Sequence, residues 1–269
     1  MLPAGNPASD NLFKTKSGVT FGGASRDALL SLRKKLADEL GLLPEQLSES
    51  ASYSMAMVVR FALGLTAESG AVTALLGNGL CGCIAAATVR HLVNASTNAV
   101  CFHLNGPTGV SSELQRQLHP LKRMGVPIHE INGDTVDIDT ASFLQSVQRS
   151  HNVIHGGFDL SSPRQFEAVS SKLNEVLNEC RTPVHCIECP SGIDPDSGTP
   201  LFTPLFASST LSLGLPLTGL AHGKTHVGRH YICDISLTRD MYLEVGYNLT
   251  SLFCEQPVVQ IYPVESEEE

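Results

Sequence analysis

The chain has 269 residues, 42% of them hydrophobic, and a formal net charge of −9. That length admits one large α/β domain or two small ones, and the apolar content suffices for a substantial core. No apolar run reaches the ~18–20 residues of a membrane span, the opening residues lack the charged and apolar regions of a secretory signal, and the negative balance opposes nonspecific nucleic-acid binding.

Residues 1–22 are mostly small and polar and read as a flexible leader. Ser25–Leu40 reads as an amphipathic helix, with Leu29, Leu32, Leu36 and Leu40 near helical spacing and Gly41 as its stop; Pro44–Leu65 reads as a second helix. Strands and helices then alternate. Strands are expected at Ala71–Leu76, Ala99–Leu104, Val126–Ile131, Asn152–His155, Val184–Cys189, Thr210–Leu215 and His230–Ile235, with an edge strand at Val258–Tyr262. Helices are expected at Cys83–Val93, Glu113–Met124, Thr140–Arg149, Pro163–Cys180 and Arg239–Val245. Such alternation implies a mostly parallel sheet covered on both faces. The expected organisation is the leader, a single domain over 23–263, and an acidic tail over 264–269.

Three motifs invite chemistry. Gly77-Asn78-Gly79-Leu80-Cys81-Gly82 fits G-x-G-x-x-G between a strand and a helix, where glycines let a backbone approach a phosphate. A dehydrogenase also needs an acid ending the second strand to hold a ribose. That strand ends Phe102-His103-Leu104-Asn105-Gly106, so a dehydrogenase is discounted, and a ligand-free tight turn stands beside a phosphate site. Cys186-x-x-Cys189 lies inside a strand rather than at a helix N-terminus, which argues against redox chemistry. Cys81, His155 and Cys189 all fall at strand ends and could gather as zinc ligands, but spacing alone makes no constellation, and the eight cysteines read first as buried reduced thiols. Finally, Ser191, Asp194 and Asp196 follow the strand ending at Cys189. They read either as a polar floor for a cation or sugar hydroxyl, or as side chains that hydrogen-bond their own turn.

Cys189-Pro-Ser-Gly-Ile-Asp-Pro-Asp-Ser-Gly198 resembles the hallmark of YjeF N-terminal domains, and Gly77–His91 resembles their glycine-rich loop and following helix. The likeness runs from about residue 24 to 262 and implies a Rossmann-like three-layer α/β/α fold with extra N-terminal helices. Enzymes of that family are NAD(P)HX epimerases that carry potassium in the pocket. The resemblance places the candidate pocket at Gly77, Gly79, Gly82, Glu188, Ser191, Gly192 and Asp194, with Glu188 the acid–base group of any catalysis and Ser191 at the potassium position. Other ligand positions depart from the family: Cys81 stands for an asparagine, His155 for an aspartate, and Phe158-Asp159-Leu160-Ser161 for a glycine-rich loop. Thiol and imidazole are poor potassium ligands.

Leu211–Leu217, His222-Gly-Lys224, Val227–Ile235 and Glu244–Tyr247 resemble the YjeF-like domain of enhancer-of-mRNA-decapping scaffolds. That branch implies a homodimer with decapping or processing-body partners, in the cytoplasm and processing bodies, with a degenerate pocket that needs no cofactor. The rival expectations are an NAD(P)HX epimerase variant, which would use potassium and NAD(P)HX, and a nucleotide-binding sensor. RNA is a weaker partner unless Arg33, Lys34, Lys35, Lys122, Arg123, Lys224 and Arg229 converge. Met55, Met57 and Phe61 are candidate contact residues.

Overall fold

A computed structural model describes residues 12–64, 70–106, 109–133, 140–247 and 252–264. The strands are β1 (Leu12–Thr15), β2 (Thr20–Gly22), β3 (Ala71–Leu76), β4 (Asn98–Asn105), β5 (Ile128–Asn132), β6 (Asn152–Gly156), β7 (Val184–Ile187), β8 (Ser209–Leu213), β9 (Arg229–Cys233) and β10 (Val258–Pro263). The helices are α1 (Arg26–Leu40), α2 (Pro44–Met57), α3 (Leu80–Asn94), α4 (Ser112–Arg123), α5 (Thr140–Arg149), α6 (Glu167–Glu179), α7 (Lys224–Val227) and α8 (Arg239–Glu244).

The strands form one sheet in the order β2-β1-β10-β9-β8-β7-β6-β3-β4-β5. From β9 to β5 all neighbours are parallel, whereas β10, β1 and β2 add antiparallel. The sheet is fully covered in its middle: β6, β7 and β8 are buried at every residue, including the polar Asn152, His155, His185, Ser209, Thr210 and Ser212. One hydrophobic cluster joins α1 to α4 to one face, and a second joins α5 and α6 to the other. The fold is thus the expected Rossmann-like three-layer α/β/α arrangement. The chain leaves β3 toward β4 and β5 on one side and later returns to β6 on the other. That reversal makes the C-terminal ends of β3 and β6 the switch point, where open α/β sheets bind ligands.

The N-terminal segment differs from expectation. Residues 12–22 of the expected leader form β1 and β2, because Phe13 and Phe21 are buried and the backbone of β1 is paired on both sides; residues 1–11 and the tail residues 265–269 lie outside the described residues. α1 starts at Ser25, whose hydroxyl accepts from the Ala28 N–H at 3.3 Å, and stops at Gly41, whose φ of 67° suits glycine. α2 continues as a π-helical turn over Val58–Ala62. Among the described residues, no helix is long and apolar enough to cross a membrane.

Candidate functional site

The glycines of the turn between β3 and α3 are used for close backbone packing. The Gly77 N–H donates to the Gly156 carbonyl at 3.0 Å, tying the end of β3 to the end of β6. A Cβ on Gly82 would lie 1.8 Å from the Gly77 oxygen, and one on Gly156 would lie 2.4 Å from the Cys81 oxygen. Both glycines are therefore explained by the fold without a ligand. Asn78 is likewise engaged: its amide donates to the Gly109 carbonyl at 3.0 Å, and its Oδ1 lies 3.1 Å from His103 Nε2.

Gly79 caps the N-terminus of α3, where a nucleotide phosphate would be favoured by the helix dipole. A negative group already stands there. Asp159 Oδ2 lies 2.6 Å from where a Gly79 Cβ would be. The other Asp159 oxygen accepts from the Ser161 N–H at 2.8 Å and the Ser161 hydroxyl at 2.7 Å. The flanking Phe158 and Leu160 are buried, so two apolar side chains anchor this loop in the core beside the turn.

Glu188 ends β7 with a φ of 71°, a left-handed conformation rarely held by glutamate. Its carboxylate is 2% exposed and forms a two-pronged ion pair with Arg33 of α1, with Arg33 Nη1 donating to Oε2 at 3.0 Å and Nη2 donating to Oε1. Burial pulls the Arg33 pKa down, but the Glu188 charge and hydrogen bonds outweigh it and hold Arg33 above its ordinary value. Cys81 Sγ lies 3.8 Å from the same carboxylate. Burial first, and Glu188 second, push the Cys81 thiol well above its usual range, so it stays protonated at neutral pH.

α1 crosses this edge of the sheet and is fastened at two further points. The Asp196 carboxylate accepts from the Arg26 N–H at 2.6 Å, and the Arg26 guanidinium donates to the Ser161 carbonyl at 3.1 Å. Asp194 accepts from the N–H groups of Asp196 and Ser197 at 3.0 and 2.8 Å and from the Ser197 hydroxyl at 3.0 Å. Its slight burial would raise its pKa, but these hydrogen bonds and Arg26 lower it overall. Asp194 is thus bonded within its own turn, whereas Asp196 holds the start of α1. The Ser191 hydroxyl is buried and accepts from the Asn174 amide at 3.2 Å. Gly192 has φ 84°, and a Cβ there would meet the Thr203 carbonyl at 2.5 Å.

The structure thus brings Glu188, Cys81 and the glycine turn together at the switch point. It turns Asp194 toward its own loop. His155 is buried, burial holds its pKa down at about 4, and its Nδ1 has no hydrogen-bond partner. Among the described residues no three His, Cys, Asp or Glu are placed to hold a metal, so the zinc triad of Cys81, His155 and Cys189 is not assembled. Cys81, Cys186 and Cys189 are free and buried, as expected for core thiols.

Arg33 was missed as a site residue, because it was grouped with surface cations. A signal existed. Arg33 is four residues after Leu29 and three before Leu36, which places a charge within the buried stripe of α1. Asp159 carries no comparable signal, since its position depends on the packing of Phe158 and Leu160.

Comparison with known proteins agrees with the fold. The bifunctional NAD(P)H-hydrate repair enzyme Nnr of Thermofilum pendens is 26% identical over 211 residues, 77% of this chain and 39% of that protein. This chain therefore spans well under half of that relative. The NAD(P)H-hydrate epimerase of Dehalogenimonas lykanthroporepellens is 25% identical over 234 residues, 87% of this chain and 90% of that one. The crystal structure of yeast ynu0 matches the fold with a TM-score of 0.74 at 20% identity, covering 89% of this chain and 100% of the yeast chain. The family model described as YjeF-related protein N-terminus matches residues 44–219, and the chain belongs to that family.

Proposed function

We propose that this chain is a non-catalytic member of the family, a self-associating interaction domain of the mRNA-decapping scaffold type that acts in the cytoplasm and processing bodies. The observation that carries the reading is the Arg33–Glu188 pair. A general base must reach the proton it removes, but both oxygens of Glu188 are buried and engaged by a guanidinium on the chain's own helix. Two features add support. The carboxylate of Asp159 stands where a phosphate would meet α3. The positions that hold potassium in the enzymes carry a thiol at Cys81, an imidazole at His155, and at Ser191 a hydroxyl already bonded to Asn174. The thiol and the imidazole do not suit a cation that seeks oxygen ligands.

A second reading, an NAD(P)HX epimerase variant, draws on the comparisons: both curated relatives are NAD(P)H-hydrate enzymes, one of them an epimerase of nearly this length. The two readings part in one assay. Folded protein is incubated with R-NADHX and S-NADHX in the presence of potassium, and interconversion is followed by NMR. The expected result is the spontaneous rate. Acceleration that disappears in Glu188→Ala would establish the epimerase instead.

Self-association is proposed through α2. Tyr53, Met57 and Phe61 recur every fourth residue and are 54%, 36% and 67% exposed, a stripe of apolar surface along the helix and its π turn. Met55, expected as a contact residue, is fully buried in the core.

A further inference from the structure

Five strands along the sheet from β3 and its glycine turn, the outer face of β10 separates two cavities. The larger, of about 520 Å³, lies between the β1–β2 turn and residues 252–256, with apolar walls from Val19, Leu252 and Val259. The smaller, of about 300 Å³, lies at the start of β9 and is lined by Lys224 and Arg229 above Leu220 and Val227. Gln260 and Tyr262 line both. Two residues apart on one strand, they face the same side and join the two spaces into one groove. The Tyr262 ring is 39% exposed on this wall.

The charge of the groove runs against that of the chain. The whole protein carries −9, but the groove is lined by Lys16, Lys224 and Arg229, with Glu255 as its one acid among the described residues. Lys14 adds a further cation directly opposite Tyr262 in the β1–β10 register. On the helices, Arg33, Lys35, Arg90 and Arg116 are tied to Glu188, Glu244, Glu49 and Glu45. Lys16 and Arg229 make no ion pair among the described residues; the Arg229 guanidinium reaches only the Ala62 carbonyl, at 3.4 Å.

We propose that this groove is a binding site for a nucleoside-phosphate-sized ligand, with its aromatic ring against Tyr262 in the larger cavity and its phosphate on Arg229 in the smaller one. Gln260 stands between the two and offers both a donor and an acceptor to the edge of the ring. Cavities of this size suit small molecules. An exposed aromatic beside cations suits stacking and phosphate contact together. The exposed Tyr262 ring, which lines both cavities, favours a ring-bearing anion over a purely acidic peptide. The surrounding −9 field favours a short ligand over a nucleic-acid strand.

The test is titration of the full chain with AMP, followed by ligand-observed NMR, alongside adenosine, inorganic phosphate and a short polyglutamate peptide. The expected result is saturable AMP binding, weakened about tenfold or more by Arg229→Gln and by Tyr262→Ala, and retained in Lys34→Gln, which removes an exposed cation of α1. Adenosine and phosphate alone are expected to bind more weakly than AMP. The proposal is overturned by any of four results: no saturation up to about 5 mM AMP, binding indifferent to both groove variants, loss of binding in Lys34→Gln, or Arg229-dependent binding of polyglutamate without AMP. Both groove residues are exposed on the surface, so their variants are expected to fold.

Discussion

Arg33 and Glu188 are far apart in sequence, and neither belongs in a core alone. Together they satisfy one another, and the surrounding structure tolerates a glutamate at φ 71° because the pair fixes where its carboxylate must point. Removing one partner strands the other in a low-dielectric environment. Arg33→Ala is expected to cost about 3–5 kcal/mol of unfolding free energy, and Arg33→Ala with Glu188→Ala to cost less than the sum of the single variants. Urea denaturation of the three variants reads this coupling, and additive costs would show that the pair contributes nothing of its own. Titration offers a second handle. Burial holds His155 and His185 down at about 4 and His230 at about 3, all below the ordinary 6.5. Their folded forms resist protonation that their unfolded forms accept. Their contribution is therefore complete above about pH 6.5 and is lost as pH falls toward about 4, at about 1.4 kcal/mol per pH unit for each group. Melting temperature is expected to fall between pH 7 and pH 5, and a flat profile would contradict the assigned burial.

At the scale of elements, the alternation of apolar strands with amphipathic helices was legible because each period reports which face is covered. Ala71–Leu76 and Thr140–Arg149 fall where the pattern places them. Two elements escaped. β1 and β2 are short and have one buried aromatic each, so local pattern could not separate them from a polar leader. Their existence depends on β10, which lies at the other end of the chain. The candidate site divided in the same way. The glycine turn and the end of β7 were legible as local motifs, whereas the closing of that site by α1 and Asp159 arises from contacts between distant segments. The turn itself makes a strong prediction. Gly82→Ala would place a methyl group 1.8 Å from the Gly77 carbonyl, against backbone that cannot move without breaking the β3–β6 tie. It is expected to destabilise by about 3 kcal/mol or more, seen as loss of soluble protein or of the cooperative melt. Gly18→Ala, where no atom lies within 4 Å but φ is 89°, is expected to cost about 1 kcal/mol and to keep the fold.

At the scale of the whole molecule, the exposed stripe of Tyr53, Met57 and Phe61 bears on how copies of the chain meet. Phe61→Asp places a charge at the most exposed of the three and is expected to convert a dimer to a monomer in light scattering, with melting of the monomer fold unchanged. A variant that keeps the parent's mass, or a parent already monomeric, would rule out this surface. The antiparallel edge of the sheet bears on how the molecule comes to exist at all. Phe13 pairs with Pro263, and the Val264 N–H donates to the Leu12 carbonyl at 2.8 Å. During synthesis β1 must wait for β10, because that partner strand leaves the ribosome only after the seven parallel strands are complete. Until then Phe13 and Phe21 have no core to enter and the flank of β9 is open. The nascent chain is therefore open to mispairing with its neighbours on a polysome until β10 emerges, and a truncation before residue 258 would leave that edge open permanently.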